Sequence, residues 1–210
     1  MEFRDILEKR RAVNFFDPNK EVSMDLVRQL VDMAAKAPSS FNLQPWSLVI
    51  LTDPQDKMRL RRLAMDQPKI TEAPVVFMVL ADRDGWKKGH KFAEKNFEEM
   101  VKAGAMSQEQ YEWFTDTCEK LYGETQEKQQ AFACKNAGFF AMALMFAAKE
   151  LGLDSHPMDG FDHDAVRKEF KIPDNYWIPL LMAIGYFDES KQLYPPKWRK
   201  SFDEILVSFQ

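Results

Sequence analysis

The sequence predicts an α+β fold. Three short runs rich in strand formers, Trp46 to Leu51 (WSLVIL), Val75 to Ala81 (VVFMVLA) and Ile178 to Tyr186 (IPLLMAIGY), lie scattered among longer helical patterns without a regular β-α-β beat. At 210 residues and 45% hydrophobic content the chain suffices for one core, so residues 1–210 are read as a single domain. No internal repeat or linker divides it.

Taken in order, Glu2 to Arg11 reads as a helix. A second starts after Ser23, a good N-cap, and carries Leu26, Val27, Leu30, Val31 and Ala34 at helical spacing until Pro38 stops it. The strand at Trp46 is followed by Asp53-Pro54, a cap and a first-turn proline for a helix reaching about Met65. Trp86 to Gly152 reads as three helices broken at Gly104 and Gly123, with Ser107 and Gln110 as a capping box for the second. In the third, Ala137 to Ala148 is apolar on every face, which calls for packing on all sides, in a core or against another subunit. Asp162 fits the cap of a short helix ending before Pro173. The chain then turns extended and basic, LYPPKWRKSF.

Composition narrows the function classes. A net charge of -4 offers no general attraction to nucleic acid or anionic lipid. The first thirty residues are charged throughout and lack a signal-peptide run, and the longest uncharged apolar run is about a dozen residues against the roughly 20 that span a bilayer. A cytoplasmic protein without membrane or nucleic-acid partners is expected. Cys118 and Cys134 lack metal-ligand spacing and read as reduced, structural thiols.

Four clusters could carry chemistry. Arg10, Arg11 and Asn14 end the first helix, and adjacent guanidinium forks suit a phosphate, although such pairs are commonly just solvated. APSSFNLQPW brings Ser39, Ser40, Asn42 and Gln44 together between two prolines; these can face a planar polar ligand or simply satisfy their own turns. HPMDGFD, from His156 to Asp162, contains Gly160, which permits close backbone approach or a positive φ. His156, Asp159, Asp162 and His163 also raise a metal reading, yet no helical HExxH or second ligand cluster accompanies them. The fourth cluster is Lys197-Trp198-Arg199.

Together the four match a known pattern. Through RRAVNFFD, APSSFNLQPW, LGLDSHPMDGFD and the closing IGYF and KWRK, in that order from Arg10 to Arg199, the chain resembles the FMN-dependent nitroreductases. The resemblance implies a mainly antiparallel sheet surrounded by helices. It also implies an intertwined homodimer with the C-terminal tail on the partner, and two FMN sites shared between subunits. Carried over, Arg10, Arg11, Lys197 and Arg199 would hold the phosphate and ribityl end, with Ala12 and Asn14 beside them. Pro38, Ser39, Ser40 and Asn42 would reach the flavin of the other subunit, with Gln44 buttressing that loop. Pro157 and Met158 belong to the same cofactor-binding stretch as Asp159 and Gly160, where backbone amides would face the flavin's hydride-accepting nitrogen. Lys69 matches a lysine near the pyrimidine edge, and Asp66 a further cofactor-binding position. Three residues depart from the family pattern: Ala12 replaces a usual serine, Asn14 a frequent cation, and Asp66 a common asparagine.

The implied activity is ping-pong transfer of hydride from NADH or NADPH, through FMN, to a nitroaromatic, quinone or related acceptor. No side chain serves as a nucleophile and no metal takes part. Residues 86–123 correspond to a helical lid, in which Phe92, Phe97, Tyr111 and Phe114 are either core or acceptor-pocket wall. A specialised family enzyme with a non-nitro substrate, a low-turnover flavin-binding or redox-sensing protein, and metal-dependent hydrolysis at His156 to His163 are the alternatives.

Overall fold

The computed structural model describes residues 2–209. It opens with α1 (Phe3–Lys9) and α2 (Met24–Ala34), where the Ser23 hydroxyl accepts the Leu26 N–H at 3.2 Å, as its cap position requires. Next come β1 (Trp46–Leu51) and α3 (Pro54–Leu63), whose first turn is closed by the Asp53 carboxylate on the Gln55 and Asp56 amides. A single turn, α4 (Lys69–Glu72), precedes β2 (Val75–Asp82).

The segment after β2 is helical, with α5 (Lys91–Lys102), α6 (Tyr111–Cys118), a π-type turn at Glu119–Gly123 and the long α7 (Gln126–Glu150). Gly104 ends α5 in the left-handed conformation at φ +71°, as a C-terminal glycine does. Gly123 has another job. A Cβ there would lie 2.3 Å from the Trp86 ring, so the residue is needed for close packing and not as a helix stop. Beyond α7 follow β3 (Asp154–Met158), α8 (His163–Glu169), β4 (Tyr176–Gly185) and a one-turn α9 (Phe202–Ile205).

The sheet runs β1-β2-β4-β3, with every pair antiparallel. All eight residues of β2 are buried, and their alternation assigns them to two cores. Val75, Phe77, Val79 and Ala81 pack with α2, α5, α6 and α7, while Val76, Met78 and Leu80 pack with α3 and α8. Trp46 stacks on Phe140 of α7 at 5.2 Å, joining β1 to that helix.

Asp154 to Met158 is a strand that the sequence pattern did not mark; Pro157 is tolerated because β3 is the last strand of the sheet, with β4 on one side and only the isolated Ala12–Ser155 bridge on the other. The apolar run in α7 sits within a 25-residue helix that by length and composition could cross a membrane, but half of its most apolar stretch is buried against this sheet and α2. Its remaining face is only partly covered, and Phe139 is 46% exposed.

Candidate functional site

The site is assembled on the open side of β3. The RRAVN segment leaves α1 extended and lies alongside this strand, with Ala12 bridged to Ser155 and the Val13 N–H donating to the Ser155 carbonyl at 3.2 Å. A cavity of about 670 Å³ forms between this segment, His156 and the C-terminal tail. Arg10, Arg11, Ala12 and Asn14 line it from one side, Lys197 and Arg199 from the other.

Its electrostatics are one-sided. Among the described residues, none of Arg10, Arg11, Lys197 and Arg199 has a carboxylate within ion-pair distance. Burial, then the neighbouring Arg199 and Arg11 guanidiniums, lower the Arg10 pKa from its ordinary value. Arg11 donates through one terminal nitrogen to the Glu8 carbonyl and, at 2.8 Å, to the Arg10 carbonyl, while its Nε is buried without a partner. Four uncompensated cations and an orphaned guanidinium N–H fit an anion with several acceptor oxygens, such as a phosphate.

His156 enters the same cavity, a role the residue pattern did not give it. Its Nδ1 lies 2.7 Å from the Val13 carbonyl, which can only accept, so Nδ1 carries the hydrogen. Burial first, then Lys69 and Lys197, lower its pKa from 6.5. His163, stacked between Phe161 at 4.5 Å and Trp177 at 4.0 Å, is lowered too, chiefly by burial. The two rings thus serve different surroundings instead of one metal. An unfolded chain binds protons on these rings near pH 6.5 that the folded chain resists. Stability in the flavin-free protein is therefore expected to be full above about pH 6.5 and to fall as the pH drops towards the folded values. Thermal midpoints measured between pH 7.5 and 5 test this; His163→Gln should flatten the decline.

Lys69 approaches from α4. It is half-buried, its pKa lowered by burial, and its Nζ reaches the Gln67 side-chain oxygen at 3.5 Å. Gln67 also donates to the Gly160 carbonyl at 3.0 Å, tying the Lys69 turn to the turn after β3. Gly160 does not adopt a positive φ; a Cβ there would stand 3.1 Å from the Met65 sulfur, so close approach is what the position requires. Asp159 is exposed beside it, Pro157 is half-buried, and the Met158 side chain points into the core at 3% exposure. Asp66 turns away to accept a hydrogen bond from Arg61 Nε at 2.7 Å.

The APSSFNLQPW loop does not line the cation cavity. Much of its polarity stitches the loop itself: Ser39 Oγ accepts the Gln44 N–H at 2.9 Å, and Gln44 Nε2 donates to the Asn42 carbonyl at 3.3 Å. Two buried amides missed by the sequence reading anchor it. Asn136 Oδ1 accepts the Ser40 N–H at 3.0 Å, and Asn96 both accepts from Asn42 Nδ2 at 2.8 Å and donates to the Phe41 carbonyl at 2.9 Å. An asparagine immediately before the apolar run of α7 was the available signal for Asn136. Phe41, Asn42 and Gln44 all hold φ near +50°, a concentration of strain that the anchoring amides sustain. Pro38, Asn42 and Gln44 remain exposed.

Of the four aromatics in residues 86–123, Phe97 and Phe114 are core, 2% and 1% exposed and 5.3 Å apart; their expectation as pocket wall is corrected, because they hold the helices of this segment together. Tyr111 packs on Phe97 and donates to Glu94 at 2.6 Å, with its pKa pushed up to about 12 by that carboxylate. Phe92 is half-exposed and lines a second cavity of about 340 Å³ with Asn42, Gln44, Trp46 and Lys95.

Comparison with known proteins places the chain's family and fold. The Nitroreductase family model matches residues 7–186. Protein DrgA of Synechocystis sp. is 32% identical, covering 88% of this chain and 84% of its own. An NADH dehydrogenase of Thermus thermophilus is 33% identical, covering 85% and 83%. A solved structure from Exiguobacterium sibiricum, in complex with FMN, superposes with a TM-score of 0.85 at 24% identity, over 99% of this chain and 97% of that one, which speaks for the shared fold. With the four-stranded antiparallel sheet, the helices around it and a family match over most of its length, the chain belongs to the nitroreductase family of oxidoreductases.

Proposed function

We propose that this protein is an FMN-dependent NAD(P)H oxidoreductase whose cation cavity holds the FMN phosphate. The observation that carries the reading is the cavity itself, lined by Arg10, Arg11, Lys197 and Arg199, none of them ion-paired among the described residues, with Glu8 as the one carboxylate on its described wall. Support comes also from the structural neighbour solved with FMN and from the T. thermophilus relative named an NADH dehydrogenase. Bound FMN would supply the redox chemistry, accepting hydride from NADH or NADPH and delivering electrons to a nitroaromatic, quinone or related small acceptor in a ping-pong sequence.

The chain's own residues bind, orient and polarise. Arg10 and Arg11 present forked donors and Lys197 a point charge to the phosphate. Ala12 and Asn14 line the ribityl end, and Pro157 to Gly160 offer backbone at the ring. Gly160 keeps that approach open, since Met65 and Gln67 already crowd it from behind. Lys69, half-buried beside that turn, is the cation that favours negative charge on the ring. For a two-electron couple about 30 mV corresponds to a tenfold change in equilibrium constant. Lys69→Ala is expected to lower the flavin midpoint potential by at least about that much; an unchanged potential would remove Lys69 from the ring's neighbourhood.

The second half of the site is proposed to come from a partner subunit. Pro38, Ser39, Ser40 and Asn42 stand outside the cation cavity of their own chain, on a loop whose exposed edge faces solvent. The tail bearing Lys197 and Arg199 exposes Trp198, Phe202, Ile205, Leu206 and Val207 at 60% or more, too much apolar surface for a free monomer. Residues 86–123 then act as the lid, with Phe92 as the aromatic that touches the acceptor. Steady-state kinetics test the mechanism. Parallel double-reciprocal lines for donor and acceptor are expected, and converging lines would contradict the shared-face exchange.

A further inference from the structure

Glu8, Tyr194 and His156 are the titratable groups of the cavity wall that the phosphate reading leaves without a task, and His156 is the one held in a fixed orientation by a backbone carbonyl. His156 is held by its Nδ1–H on the Val13 carbonyl at 2.7 Å, and its Nε2 has no protein partner among the described residues. The strand pairing of His156 with Ala183 fixes the backbone, and the extended RRAVN segment fixes the ring. The ring therefore presents a single free lone pair to the cavity. We propose, on the strength of the FMN reading above, that His156 Nε2 is the proton acceptor that compensates the charge of the reduced flavin.

The surroundings decide the direction of proton movement. Arg10, Arg11 and Glu8 face the cavity from α1 and its end, and Lys197 and Arg199 from the tail. Lys69 acts on the ring from α4, and Asp154 on its own strand is paired with Lys149 at 2.8 Å. Cations dominate this set, and together with burial they disfavour the imidazolium while no counter-charge is present. A phosphate dianion offsets part of that repulsion. Reduction then adds one further negative charge to the ring system, and the imidazole becomes basic enough to take a proton.

The balance is explicit. NADH donates a hydride, that is two electrons and one proton, and leaves as NAD+; the flavin gains that hydride and one negative charge. One proton from solvent forms the Nε2–H bond of His156. Net uptake is one proton per flavin reduced, and transfer of the electrons to the acceptor releases His156 to give that proton back. His156 is thus a positioning and charge-compensating residue, and no bond forms between it and the substrate.

The test is the pH dependence of the midpoint potential in FMN-loaded wild type and His156→Gln, whose amide can still donate to the Val13 carbonyl. One proton per two electrons gives a slope of about 30 mV per pH unit and two protons about 59 mV. Just above the ordinary imidazole range, wild type is expected to follow the steeper slope and the variant the shallower one. Equal slopes overturn the proposal. Should the variant fold poorly, carbon-labelled wild type answers by NMR. The chain has three histidines, and the His156 ring signal is expected to move to the imidazolium position on anaerobic reduction; a signal that stays put overturns the proposal. A wild type that takes up no FMN would instead refute the cofactor reading on which it rests.

Discussion

Replacing Arg10 and Arg11 together by alanine should weaken FMN binding by about 100-fold to 10,000-fold, because each hydrogen bond from a charged donor contributes roughly 1.5–3 kcal/mol. The same substitutions should not weaken the fold in proportion. Arg10 has no ion pair among the described residues and is crowded by Arg199 and Arg11, so Arg10→Ala alone should leave the thermal midpoint of the flavin-free protein unchanged or raised. Arg11 differs, since its guanidinium also closes the carbonyls of Glu8 and Arg10 at the end of α1. The pair therefore separates a binding function from a structural one. Lysine at both positions keeps the charge but loses the forked geometry, and intermediate affinity is expected. Fluorescence titration of the flavin-free proteins measures all three, and a double alanine variant that binds FMN as wild type does would dismiss the cavity as a phosphate site.

Glutamate in place of Phe139 is expected to break the proposed dimer, of twice 24.5 kDa, into monomers and to empty the flavin site with it. Phe139 lies on the face of α7 that the sheet leaves uncovered, and Phe146, further along the same helix, meets the half-exposed Phe3 edge to face at 5.3 Å. Leu7 adds a third exposed apolar group from α1. An interface closing over this patch would desolvate the new carboxylate without a partner, at a cost of several kcal/mol. Light scattering and flavin content on the same sample decide the matter. Monomers that retain FMN at wild-type affinity would show that Ser39, Ser40 and Asn42 do not serve a partner's flavin.

The parts legible in the sequence are those whose causes are local. The Ser23 cap, the Asp53-Pro54 start of α3 and the apolar runs of β1 and β2 each carry their reason within a few residues, and each is found as expected. β3 was not legible. Its DSHPM has a proline and alternate polar residues, and it becomes a strand only because β4 offers it an edge. The site divides in the same way. The arginines and the KWRK tail could be matched to a phosphate by residue type, whereas His156 gained its place through the Val13 carbonyl, 143 residues away in sequence. Ser39 and Ser40 were legible as a polar cluster, but Asn96 and Asn136, which hold that loop in its left-handed turns, come from helices remote in sequence whose patterns did not single them out. Phe97 and Phe114 show the converse, two aromatics whose residue type allowed a pocket and whose neighbours made them core.

The central claim, that four uncompensated cations hold the phosphate of a flavin, is tested most directly by comparing FMN with riboflavin, which differs only in lacking that phosphate. Titration of the flavin-free protein is expected to show FMN binding at least about 100-fold more tightly, as two or more charged hydrogen bonds require; equal affinities would contradict the account.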